Sequence, residues 1–85
     1  MYSIDGYVKN LIISCIDRTG YIEAGHLKYF MDTKLSSNSD NLIFTPCDIR
    51  DGIMVLFFKQ RGSDYLNLRT YNIEHIIQEY LQAGN

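Results

Sequence analysis

Six consecutive apolar residues occupy positions 53–58. A strand with one side in water alternates apolar and polar residues, whereas this run presents apolar side chains to both sides. It begins after the turn signal Asp51-Gly52 and ends at a polar segment, so its length fits a strand and is too short for a membrane span. The pattern therefore predicts a strand whose two faces both need cover.

Amphipathic helices are predicted on both sides of this strand. From Ile4 to Ile16 apolar residues recur three and four positions apart, with Ser3 as the N-cap and residues 17–20 as the closing turn. A second helix is predicted over about residues 22–34, with a short strand starting at Tyr21-Ile22 as the alternative. The last helix is capped by Asn72 or Thr70 and has one apolar stripe, formed by Ile73, Ile76, Ile77, Tyr80 and Leu81.

Strand and turn signals fill the middle of the chain. A polar loop at residues 36–41 precedes a strand at residues 42–45. Pro46 has no amide donor and therefore marks the end of this strand or an edge of the sheet. Asp51-Gly52 closes one hairpin, and residues 61–64 close a second hairpin into a strand at residues 65–71. The predicted fold is α+β in a single domain, residues 1–85: two N-terminal helices, a three-stranded antiparallel meander and a C-terminal helix, ααβββα.

The last strand has two chemically different faces. Leu66, Leu68 and Thr70 are predicted to face the core, and the opposite face carries Tyr65, Asn67, Arg69 and Tyr71. Three helices can cover one side of a small sheet. Unless a helix crosses over or a second copy packs there, the other side is expected to expose alternate members of the 53–58 run beside those four residues. Exposed apolar patches on small proteins mark interfaces.

Composition narrows the classes of function. The 85 residues are 46% hydrophobic and carry ten acidic and eight basic side chains, a formal charge of −2. This balance does not favour a nucleic-acid partner, because phosphate binding requires basic residues. The sequence shows no basic segment followed by an apolar segment and no apolar run of membrane-spanning length, so we expect neither export nor membrane insertion. Two cysteines are too few for a disulfide scaffold. We expect reduced thiols and a cytoplasmic location.

Catalytic and metal-binding chemistry lacks a sequence pattern. Cys15 belongs to an apolar helix stripe, Cys47 is expected to be exposed between strands, and His26 and His75 are isolated on different helices. Zinc sites use closely spaced ligand pairs, and phosphate-binding loops use glycine-rich motifs, neither of which occurs. The sequence therefore predicts no catalytic residues, no metal and no cofactor.

The segment from Asp17 to Leu27 is similar to part of an EF-hand loop, with Gly20 at the sharp turn. Calcium requires oxygen ligands at the first and twelfth positions of such a loop. Those positions hold Cys15 and His26, so a helix-turn-helix hairpin with Gly20 in its turn is expected instead.

Three interpretations of function remain, of which the third is a minor enzyme or metal-binding role. The first is a small non-catalytic module that binds another protein, such as part of a nucleic-acid-handling complex, through a sheet face or as a homodimer. It would be a stand-alone inhibitor or regulator of the kind carried by phages and mobile elements. Its predicted partner-binding residues are Tyr65, Asn67, Arg69, Tyr71, Arg50, Lys59 and Arg61, because Tyr and Arg dominate protein interfaces.

The alternative reading is a winged-helix-like DNA-binding transcriptional regulator, since a helical hairpin followed by strands fits that architecture. Its phosphate contacts would come from Lys28, Lys34, Arg50, Lys59 and Arg61. Glu23 and Asp32 lie among the bases of the second helix, and the net charge is negative, which favours the protein-binding reading.

Overall fold

The computed structural model describes residues 4–37 and 41–84. Its elements, in chain order, are α1 (Ile4–Ile13), α2 (Ala24–Ser37), β1 (Leu42–Phe44), β2 (Asp48–Arg50), β3 (Ile53–Gln60), β4 (Asn67–Asn72) and α3 (Ile73–Ala83). The predicted α+β class and helix order are confirmed, with four antiparallel strands where three were expected. Ser3, the predicted cap of α1, and residues 38–40 of the predicted polar loop lie outside the described residues.

The additional strand arises because the predicted first strand continues beyond an interruption. β1 pairs with the end of β3, Leu42 facing Gln60, and β2 pairs with its beginning, Arg50 facing Ile53. Residues 45–47 separate the two short strands, and Pro46 supplies no ladder donor there. One edge of the sheet is thus two three-residue strands in tandem, while β4 forms the other edge.

Local turn chemistry accounts for the hairpins. Asp51 and Gly52 both adopt positive φ, 53° and 77°, which is the two-residue turn that matches the twist of the flanking strands. Gly62, at φ 87°, lies in the connection between β3 and β4. Both predicted hairpins are therefore confirmed, and the first one sets the register of β2 against β3.

The core lies between the helices and one face of the sheet, which we call the inner face. Met54, Leu56 and Phe58 alternate along β3 and are buried on this side. The helices contribute their apolar stripes, namely Val8, Ile12, Leu27, Met31, Leu35, Ile73 and Ile76. Two members of the stripe predicted for α3, Tyr80 and Leu81, are exposed.

Side-chain caps determine where the helices start. The Glu23 carboxylate accepts hydrogen bonds from the backbone N–H groups of Gly25 and His26, so α2 begins at Ala24. At the start of α3, Asn72 Oδ1 accepts the His75 N–H at 3.0 Å, as predicted for this cap. Asn72 is also the last residue of β4, and the chain therefore passes from strand to helix without a loop.

The two faces of β4 are opposite to the prediction. Side chains alternate as expected, but the register sets Tyr71 opposite Met54 and Arg69 opposite Leu56. Facing residues in an antiparallel pair share a face, so Asn67, Arg69 and Tyr71 belong to the inner side. Leu68, which faces Phe57, belongs to the other side of the sheet together with Thr70.

A bare sheet face as the candidate functional site

Opposite the helices, the sheet presents a surface that we call the outer face. The strand registers place on it the side chains of Ile43, Asp48, Arg50, Ile53, Val55, Phe57, Lys59, Leu68 and Thr70. Phe57 is 36% exposed and Leu68 is 51% exposed, and they face each other across β3 and β4. Among the described residues, no helix covers this side, since the helices build the core on the inner face.

Basic residues lie at the two ends of β3 on this face. Lys59 faces Ile43 near one end, and Arg50 faces Ile53 at the other end. Arg50 Nε lies 3.0 Å from Asp48 Oδ2, which holds the guanidinium beside the strand. The outer face therefore has an apolar centre with Lys59 near one end and the Arg50–Asp48 ion pair near the other, on a chain whose formal charge is −2.

The predicted partner-binding residues are divided among different surfaces. Arg50 and Lys59 lie on the outer face, and Tyr65 is exposed in the connection before β4. Arg61 follows β3 and donates its backbone N–H to Asn41. The expectation that Asn67, Arg69 and Tyr71 flank the apolar run on one open face is wrong. Whether any of these seven residues contacts a partner stays a prediction.

The aromatic ring and hydroxyl of Tyr71 explain why this side of β4 turns inward. Tyr71 is only 5% exposed, and its hydroxyl donates to Asp5 Oδ1 of α1 at 2.8 Å. Burial and the hydrogen bond with Asp5 raise the pKa of this hydroxyl above its usual value. The Arg69 Cζ atom lies 5.5 Å from the centre of the Phe58 ring, and Arg69 Nε lies 3.8 Å from Asp5 Oδ1. The Tyr71 hydroxyl and the Arg69 guanidinium therefore have partners at the core boundary.

Replacing Tyr71 by phenylalanine is expected to lower the free energy of unfolding by about 1 kcal/mol, because the ring stays buried while the hydrogen bond to Asp5 is lost. Urea denaturation followed by circular dichroism measures this change. Tyr29→Phe is the matched control, since Tyr29 is exposed on α2. Equal stabilities of the Tyr71 and Tyr29 variants would contradict the inward placement of Tyr71.

The two cysteine and two histidine side chains contact different neighbours and do not meet at one site. Cys47 was expected to be exposed, but it is buried, and burial raises the pKa of its thiol to about 12. Cys15 packs against the core, and burial also raises its pKa. His26 stacks with Phe30, and His75 Nε2 lies 2.6 Å from Glu79. Within residues 4–37 and 41–84, no three His, Cys, Asp or Glu side chains converge as metal ligands would.

The segment similar to an EF-hand loop is a helix-connecting turn. Asp17 accepts hydrogen bonds from the Thr19 hydroxyl and from the backbone N–H groups of Thr19 and Tyr21, which lower the pKa of its carboxyl. Gly20 has a φ of 82°, as the turn requires. The Asp17 carboxylate is thus used to organise the turn between α1 and α2.

The bases proposed for DNA contact are distributed over both sides of the sheet. Lys28 donates to Asp32 and to the Cys47 carbonyl, and Lys34 lies 5.6 Å from the centre of the Phe30 ring. Both belong to α2, on the inner side, whereas Arg50 and Lys59 belong to the outer face. Phosphate binding favours bases gathered along one surface.

Searches for a matching protein family, a similar curated protein or a similar solved structure found none. In the part of the chain that the structure describes, no helix has both the length and the apolar character needed to cross a bilayer. The candidate site is therefore judged by its own geometry and chemistry.

Proposed function

We propose that this protein is a non-catalytic binding module whose outer face docks on another protein. The partner surface would carry an apolar patch bordered by acidic residues. The observation that carries this proposal is the exposure of Phe57 and Leu68 side by side on a sheet face that none of the described helices covers. In this reading the protein is a cytoplasmic inhibitor or regulator, and its two free cysteines fit a reducing compartment.

The energetics of the outer face support docking by burial of its centre. Completing the burial of a large apolar side chain contributes up to about 1.5–3 kcal/mol, and Phe57 and Leu68 are already partly covered by their neighbours. Burying the part of each side chain that is still exposed would therefore contribute about 1 kcal/mol to the binding free energy. Central apolar anchors in a shape-complementary contact contribute most of the binding energy in protein interfaces.

The charged residues near the ends of the outer face support a partner whose contacting surface is acidic at its border. Arg50 and Lys59 lie at opposite ends of β3, beyond the apolar centre. Charges at an interface rim raise the association rate and orient the partner more than they raise affinity. An acidic border on the partner would be attracted mainly by Lys59, because the Asp48 carboxylate partly neutralises Arg50.

Affinity capture from host lysate tests the proposal with two baits besides the natural chain. The double variant Phe57→Ser/Leu68→Ser removes the apolar centre of the outer face, and Tyr29→Ser removes an exposed aromatic ring from α2 on the other side. We expect a protein that is recovered with the natural chain and the Tyr29 variant and reduced at least about tenfold with the double variant. Circular dichroism first verifies that all three baits are folded.

Binding of the recovered protein is then measured with purified components at increasing salt. Loss of positive rim charge by Arg50→Gln/Lys59→Gln should slow association and reduce its salt dependence. The proposal fails if all baits recover the same proteins equally. It also fails if duplex DNA is the tightest ligand, with an affinity that falls steeply with salt.

A further inference from the structure

We propose that two copies of this chain join edge to edge through β4, with antiparallel strands and Leu68 of one copy facing Leu68 of the other. The occupant of this edge is thus a second copy of the chain. This inference goes beyond the proposed function, because it concerns the edge of the sheet and needs no binding at the outer face.

The two edges of the sheet differ in how they are protected. On one side β1 and β2 are three residues each and are separated at Pro46, and short interrupted strands are poor templates for pairing. On the other side β4 is a continuous strand of six residues without proline or glycine. Its single charged side chain, Arg69, points to the inner face and lies beside Asp5. The β4 edge is therefore the one suited to pairing.

The hydrogen-bond pattern identifies which backbone groups this edge offers. Ile73 donates its N–H to the Gly52 carbonyl at 2.9 Å. Gly52 and Ile73 are the next facing pair after Ile53 and Asn72, so this bond shows which pairs of the β3–β4 ladder are hydrogen-bonded. Because bonded and non-bonded pairs alternate in an antiparallel ladder, Tyr71 and Arg69 direct their backbone groups to β3. Leu68 and Thr70 direct theirs away from the sheet.

Symmetry restricts the possible registers of such a dimer. Residues that face each other lie on the same side of a sheet, so a twofold axis must place one residue opposite its own copy. At Arg69 the axis would set two like charges opposite each other, which is destabilising. At Thr70 it would pair Leu68 with Asn72, whose backbone and side chain already begin α3. The axis at Leu68 avoids both problems.

The register centred on Leu68 is self-complementary. On the outer side it sets Leu68 against Leu68 and Leu66 against Thr70, and on the inner side it sets Asn67 against Arg69, an amide acceptor against a guanidinium donor. The outward N–H and C=O groups of Leu68 and Thr70 would then be paired when Leu66 continues the strand. The Leu68 carbonyl, which accepts Arg69 Nη1 at 3.0 Å in the single chain, exchanges this bond for one across the dimer.

This arrangement would also enlarge the outer face. A twofold axis perpendicular to the sheet keeps the outer faces of both copies on one side, so Phe57 and Leu68 of one copy continue into Leu68 and Phe57 of the other. One strand edge buries less than the ~800 Å² per partner of a standard interface. The dimer is accordingly expected to be concentration-dependent, with a dissociation constant of about 100 μM or below.

Sedimentation equilibrium of the pure protein from about 5 to about 500 μM tests the dimer. Thr70→Pro removes an amide that points away from β3, so the hairpin should fold while the dissociation constant rises at least about tenfold. Thr70→Val keeps the amide and is the matched control, with a dissociation constant expected within about twofold of the natural chain. A natural chain that stays monomeric over this range overturns the inference.

A disulfide trap tests the register separately. In a Cys15→Ala background, Leu68→Cys should form a covalent dimer on mild oxidation, because facing Cα atoms lie within disulfide reach. Thr70→Cys should not, since the two copies of residue 70 would be offset by four residues, about 13 Å. Equal crosslinking of both variants overturns the Leu68 register. These measurements use the pure protein, so a negative result leaves the capture experiment on the outer face unaffected.

Discussion

Leu56→Ala is expected to lower the free energy of unfolding by about 3–4 kcal/mol, whereas Phe57→Ala is expected to lower it by about 1 kcal/mol or less. The two residues are neighbours on β3, but Leu56 is fully buried on the inner face and Phe57 is 36% exposed on the outer face. Removing the Leu56 side chain leaves a cavity beneath the helices, while removing Phe57 mainly exposes the sheet. Urea denaturation measures both changes and requires equal m-values for a direct comparison.

The same pair of variants reports on cover of the outer face in solution. A cost of Phe57→Ala that matches Leu56→Ala would mean that the outer face is buried, contrary to its exposure in the single chain. Repeating the denaturation at ten times the protein concentration shows whether such burial arises within one chain or from self-association. A cost that grows with concentration indicates self-association over this face, because assembly stabilises the folded state by mass action.

Asp32→Ala is expected to lower the free energy of unfolding by about 2–3 kcal/mol near neutral pH. Asp32 Oδ1 accepts the Cys47 N–H at 2.9 Å, and Oδ2 lies 2.9 Å from Lys28 Nζ, which also donates to the Cys47 carbonyl at 2.6 Å. This cluster joins α2 to residues 45–47, the interruption between β1 and β2. Alanine would leave a buried backbone N–H without its acceptor.

The pH dependence of this effect has a defined sign. Burial by itself would raise the pKa of Asp32, but hydrogen bonds from Cys47 and Lys28 outweigh it, and the pKa lies below its usual value. A carboxyl with a lowered folded-state pKa contributes stability above its unfolded pKa of about 3.9 and loses it as the pH falls through the folded value. The difference between the natural chain and Asp32→Ala should therefore be full at pH 7 and shrink below about pH 4.

Asp32→Asn is the matched control for the charge. Its side-chain oxygen still accepts the Cys47 N–H, so its cost should be smaller than that of alanine, and its difference from the natural chain should also shrink in acid. Asp17 also has a lowered pKa, because of its hydrogen bonds with Thr19 and Tyr21, but it is unchanged in every variant and therefore cancels in the comparison. A pH-independent difference for Asp32→Ala would show that Asp32 does not act through its charged form.

Most of the local structure was predictable because its signals are short-range. The apolar spacing in α1 and α3, the Asn72 cap and the Asp51-Gly52 turn each depend on a few neighbouring residues. Pro46 was correctly placed at the end of a strand, although the chain returns to pair again as β2. That continuation follows from the length of β3, whose eight residues offer room for two short strands on one edge.

The existence of an exposed sheet face was predicted correctly, but the orientation of β4 on that face was predicted wrongly. The apolar run correctly indicated a sheet face that none of the described helices covers, and Phe57 lies on that face. The alternation of Leu66 and Leu68 with Asn67 and Arg69 suggested that the leucines face the core, since apolar residues usually do. No local signal in β4 counters that pattern.

The pattern of residues along the chain was sufficient to predict an α+β domain with β3 as a strand flanked by hairpins, because helix periodicity and tight turns are encoded by adjacent residues. Which side of β4 meets the helices depends instead on contacts between residues far apart in the chain. The connection at residues 61–66 is too long to impose one register of β4 on β3, so the register depends on contacts between distant residues. Burial of the Tyr71 ring with its hydroxyl on Asp5 favours the inward side, and Leu68 is consequently exposed beside Phe57.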